Sequence, residues 1–176
     1  PETADGVCPF GFPVRVLDLP HVLESGQNTA PPAATAGAVP GAFDGVVAQA
    51  GGSRFFKFAG KKGQAFEFAC HARKLGSPLD PVLTLLTDKG AQVAANDDAR
   101  GPDSQFRATL PADGDYLLAV RDHLGKGGPD YFFRIEAAPV APAALLTLPR
   151  ADGNNPRDQT RQSVVVPKGG RVAALV

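Results

Sequence analysis

The chain has 176 residues, 18 of them basic and 18 acidic, for a net charge of zero at pH 7. This length accommodates one domain with a real core plus flanking segments. The balanced charge removes the electrostatic case for nucleic acid or an anionic membrane as partner, and no apolar run approaches the roughly 18 residues that a bilayer-spanning helix needs.

The 20 Gly and 17 Pro suit many short strands joined by turns, while the 11 Phe indicate a packed interior rather than a disordered linker. There is no Met. The chain is therefore expected to be a processed product or an excerpt of a longer one, so the lack of a visible signal peptide carries no weight.

Residues 1–39 are expected to be the tail of a preceding region plus an extended connector. Residues 13–19 (PVRVLDL) alternate well enough for a strand. Residues 29–41 (TAPPAATAGAVPG) have no period and are expected to wrap over the surface. From Phe43 onward a period of two takes over. The residues expected to point inward are Phe56 and Phe58; Phe66, Phe68, Cys70 and Ala72; Leu83 and Leu85; Phe106, Ala108 and Leu110; Tyr116, Leu118 and Val120; and Tyr131, Phe133 and Ile135. Lys57, Glu67, His71 and Arg121 alternate outward. The turns fall at residues 88–90 (DKG), at Asp113-Gly114 and in the Gly-rich loop 125–128. About eight short strands of this kind call for an all-β, antiparallel two-sheet β-sandwich over residues 40–139 with almost no helix. Residues 140–176 read as a Pro-rich linker followed by the start of a second β domain.

Five stretches, in order, resemble the bacterial pre-peptidase C-terminal domain family: residues 62–66 (KGQAF); 75–81 (LGSPLDP) with Leu83 and Leu85; 88–90 (DKG) leading to 95–98 (ANDD); 111–116 (PADGDY) with 120–122 (VRD); and 128–131 (GPDY) with Phe133 and Ile135. The resemblance implies a small jelly-roll-like sandwich appended to secreted peptidases and other exported multidomain proteins. It therefore implies a secreted, periplasmic or cell-surface location. The Pro/Ala-rich lead and the trailing VPKGGRV segment also resemble large exported proteins of planctomycete-type bacteria.

Some members of that family bind calcium where a Glu/Asn-rich lead meets an acidic turn. Here the lead, residues 24–28 (ESGQN), keeps Glu24 and Asn28. The turn, residues 51–56 (GGSRFF), has Gly52 and Arg54 where acids would stand. Arg54 would put a positive charge at the cation position, so this site is expected to be dead.

The best local acidic cluster is Asp97, Asp98 and Asp103, with Ser104 beside it. Three carboxylates could hold Ca2+. The competing reading is Asx-turn chemistry, in which Asp side chains accept from nearby backbone N–H groups; Asp80 and Asp122 are candidates to join either arrangement. Residues 152–158 (DGNNPRD) lack the glycine and terminal glutamate of an EF-hand and read as a solvated turn. His21, His71 and His123 have no zinc spacing, and there is neither a CxxC nor a GxSxG elbow. Cys8 and Cys70 permit one disulfide without requiring it, and a buried free thiol at Cys70 is the plainer reading.

No Trp is present. Phe55 and Phe132 are the aromatics predicted on outward faces, where they would bind a polysaccharide or protein unless the connector covers one of them. The reading is of a non-catalytic accessory module of an exported multidomain protein, a secreted peptidase among the candidates, with no required cofactor and with other domains of its own chain as partners. A calcium-stabilised module and a carbohydrate-binding module are the alternatives.

Overall fold

A computed structural model of the chain describes residues 2–3, 6–7, 15–98 and 101–140. The chain divides into two units, residues 1–140 and 141–176. The second unit, with the further β segments and the 152–158 loop expected there, lies outside the described residues.

The first unit is a sandwich of two five-stranded sheets. The strands in chain order are β1 (Glu2–Thr3), β2 (Gly6–Val7), β3 (His21–Leu23), β4 (Thr35–Ala36), β5 (Gly41–Val46), β6 (Ser53–Gly60), β7 (Ala65–His71), β8 (Pro81–Thr87), β9 (Gln92–Asn96), β10 (Gln105–Thr109), β11 (Gly114–Asp122) and β12 (Phe132–Pro139). Sheet I runs β10-β7-β12-β5-β3 and sheet II runs β4-β6-β11-β8-β9, while β1 and β2 pair only with each other. The described helices are two three-residue 3-10 turns, Pro31–Ala33 and Arg73–Leu75. No helix among the described residues is long and apolar enough to cross a membrane.

The pairing order follows from rolling up one long hairpin. Its tip is the β8–β9 turn, where Gly90 takes a positive φ of 80° that a side chain would resist. Behind the tip the two arms pair antiparallel as β7 with β10, β6 with β11, and β5 with β12. Alternate pairs then fall into opposite sheets, and β7–β12 and β8–β11 join them laterally. This is the jelly-roll order.

Register places the inward residues opposite one another: Phe58 against Tyr116, Phe56 against Leu118, Phe68 against Phe106. Phe43, Phe56, Phe58, Phe68, Leu83, Leu85, Leu118 and Ile135 are all at most 1% exposed. Burial of each such side chain stabilises by about 1.5–3 kcal/mol. Ring pairs such as Phe43–Phe56, 5.1 Å apart, and the stacked Phe58–Tyr116, 5.8 Å apart, add specific geometry. The Tyr116 hydroxyl donates to the carbonyl of Ala112 and accepts from its N–H, closing the loop before β11.

The sequence departs from the structure in the lead. Residues 15–20 carry no ladder, although they alternate. Pairing begins where Pro20 offers its carbonyl to the Ala42 N–H, because the free edge of sheet I starts only at β5. The stretch read as an extended connector supplies two short edge strands. Strand β3 runs parallel to β5 and β4 runs parallel to β6, so both sheets are mixed at this margin.

Candidate functional site

Two polar clusters contain the residues singled out from the sequence. The first lies at the pole where β5, β7, β9 and β11 end and β6, β8, β10 and β12 begin, which gathers the loops that join them in these pairs.

Asp103 is buried. Its Oδ1 accepts from the N–H of Arg73 at 2.8 Å and of Ala72 at 3.3 Å, and its Oδ2 accepts from Lys74 at 3.3 Å. The carboxylate therefore closes the 72–75 turn from within, through amides distant in the sequence rather than through a local Asx turn. Asp122, also buried, accepts from Asp80 N–H with Oδ1 and from Leu124 and Lys126 N–H with Oδ2, at 2.9–3.0 Å. Asp97 is half-exposed, accepts from the Asp98 N–H and has Oδ2 3.5 Å from His123 Nδ1. Asp98 is exposed. Among the described residues, no three His, Cys, Asp or Glu side chains converge as a metal site would require.

The second cluster is a strap. Residues 24–28 cross from the free margin of sheet I toward that of sheet II, and Ser25 and Thr35 meet through their hydroxyls. Glu24 Oε1 accepts from the Val46 N–H at 2.8 Å, and its Oε2 lies 2.6 Å from Arg54 Nε. The two side chains are 11% and 4% exposed. The Glu24 carboxyl rests on Gly45, where an added Cβ would come within 3.0 Å of its carboxyl carbon. Asn28 is fully buried. Its Nδ2 donates to the Phe55 carbonyl and its own carbonyl accepts from the Phe55 N–H, while Oδ1 has no hydrogen-bond partner among the described residues.

Glu24, Asn28 and Arg54 are the residues at which the family resemblance would look for calcium. They do not fit it. A guanidinium is charged at every ordinary pH, and this one stands where an ion ligated by Glu24 would have to be.

The outer face of sheet I carries a third group. Glu136, buried, is gripped by Arg15 through two 2.6 Å hydrogen bonds and by Arg134 at 3.0 Å, and Arg134 also holds Asp44. His71 Nε2 lies 3.3 Å from Glu136. Burial pushes the Glu136 carboxyl upward, but the hydrogen bonds from Arg15 and Arg134 and the neighbouring charges hold it below its ordinary range. Burial and the Arg15 charge lower His71. Burial, with the Asp103 charge, pushes the Cys70 thiol well up. Cys70 is free and buried, and Cys8 lies outside the described residues.

Phe55 and Phe132 are both half-buried. Each precedes a buried core residue, Phe56 on sheet II and Phe133 on sheet I, so they face opposite sides of the sandwich and do not form one platform. The backbone of Phe55 is bonded to the strap through Asn28. A groove of about 420 Å³, lined by Pro20, His21, Val22, Ala36, Gly37, Ala38 and Ala42, offers one titratable side chain, His21.

The burial of Arg54 and Asp122 was missed in the sequence. Its signal was parity: Arg54 shares the face of Phe56 and Phe58, and Asp122 that of Tyr116, Leu118 and Val120.

No family model matches the chain. Over 67 residues, 38% of its length, the chain is 46% identical to a probable subtilase-type serine protease of Deinococcus radiodurans, and this match spans 9% of the protease. Among solved structures, it is similar to the pre-peptidase C-terminal domain of collagenase from Bacillus anthracis, with a TM-score of 0.48 and 12% identity over 59% of this chain and 93% of that one. It is also similar to a periplasmic inhibitor of g-type lysozyme from Aeromonas hydrophila, with a TM-score of 0.41 and 18% identity over 59% of this chain and 95% of that one.

Proposed function

We propose that residues 15–140 form a non-catalytic accessory module of an exported, subtilase-type peptidase, related to the pre-peptidase C-terminal domain and acting as a rigid spacer or folding aid beside the catalytic domain. The observation that carries the reading is the use of its buried carboxylates. Asp103 and Asp122 each accept from three backbone N–H groups, and Glu24 and Glu136 are held by guanidinium groups. Carboxylates bound in this way brace loops and cannot serve as free acids or bases, because proton transfer needs an accessible lone pair within reach of substrate. The local likeness to a subtilase-type protease supports the choice of parent.

The test is a parent protease with and without this module. Hydrolysis of a short chromogenic peptide should be unchanged by the deletion, while secreted yield or resistance to self-digestion falls. Loss of peptide hydrolysis in an otherwise folded deletion protein would overturn the proposal.

A further inference from the structure

The strap carries a second inference, which stands whether or not the accessory role holds. Segment 24–28 ties the margins of two sheets together at a point where a buried carboxylate needs a positive partner. Two observations define that point: Glu24 Oε2 at 2.6 Å from a guanidinium nitrogen, and an Arg54 side chain only 4% exposed. Gly45 leaves room for the carboxyl, since a side chain there would strike both Glu24 and the ring of Phe133.

We propose that Arg54 is the strap's built-in cation, doing covalently what a bound metal ion would do, and that the Glu24 carboxylate takes a divalent cation only when an oxygen ligand replaces the guanidinium. The guanidinium neutralises Glu24 while its Nη1 donates to the Ser53 carbonyl, so the charge is anchored at both ends without a metal. Carboxylate oxygens are hard donors of the kind that calcium takes. Replacing the guanidinium by a second carboxylate exchanges one cation for another.

The experiment compares the chain with its Arg54→Asp variant by thermal melting in EDTA and in calcium chloride. The unaltered chain should melt at the same temperature in both. Arg54→Asp should melt roughly 10–20 °C lower in EDTA, since it places two carboxylates together in a buried site. It should recover by roughly 5–15 °C in about 10 mM calcium, well above the dissociation constants of weak extracellular sites. A calcium-induced rise in the unaltered chain overturns the proposal, as does a folded Arg54→Asp protein indifferent to calcium. Should that variant fail to fold in either buffer, a double-mutant cycle of Glu24→Gln and Arg54→Met decides. Strong coupling upholds the clasp, and additivity overturns it.

Discussion

The acidic pole and the strap solve one problem with different chemistry. Both bury a carboxylate that holds a loop. At the pole, Asp103 and Asp122 are satisfied by neutral backbone amides from nearby loops. In the strap, Glu24 answers one amide and one full charge, on a strand far along the chain. Amides left without their acceptor are neutral, and those near the surface regain water. A guanidinium left without its carboxylate remains a charge in a dry place, which is far more costly. The strap should therefore be the more fragile of the two, although it makes fewer bonds.

That ranking can be broken by chemical denaturation of single variants. Glu24→Gln keeps an oxygen for the Val46 N–H but strands Arg54, and is expected to cost about 3–5 kcal/mol. Asp103→Ala, which frees the N–H groups of residues 72–74, is expected to cost about 2–3 kcal/mol; the reverse order would sink the comparison. Arg107→Ala removes a pair with Glu67 whose arginine is more than half exposed, and is expected to cost less than about 1 kcal/mol.

Acid sharpens the contrast with the third cluster. The folded-state pKa of His71 is depressed from 6.5, so the folded form binds its proton less readily than the unfolded chain. Its contribution is complete above that value and lost as pH falls below it. Glu136 is depressed from 4.5, so its contribution is held above that value and lost as pH falls through the lower folded pKa. Melting temperature should decline in two stages below pH 7, and His71→Gln should remove the first. The smallest effect is expected at Cys70. Labelling of the native chain with a thiol reagent, followed by mass spectrometry of the peptide carrying Cys70, should find it unmodified until the sandwich is unfolded.

Alternation made the core legible, because residues two apart on a strand must share a face. The inward set fills the interior, with Phe106 and Tyr131 half-buried where they pack against its border. The same rule applied without regard to polarity would have placed Arg54 and Asp122 inside and called for partners. Their partners were not legible. Glu24 and the loop amides reach them through folding of segments that have no period of their own. Residues 15–19 show the converse limit, since alternation describes a surface but does not supply a free edge to pair with. Among the acids of residues 96–104, composition could not separate Asp103, turned inward onto the backbone, from Asp97 and Asp98 at the surface.

The two short parallel strands contributed by the lead have a further consequence. The margin of the sandwich that would otherwise expose β5 and β6 ends in ladders only three and two residues long. On the other side, the margins β9 and β10 are tied together through Asn96, Ser104 and Gln105. At the β3–β4 margin a stranger's backbone finds little row of vacant amides to copy, so that margin should resist edge-to-edge zipping between copies.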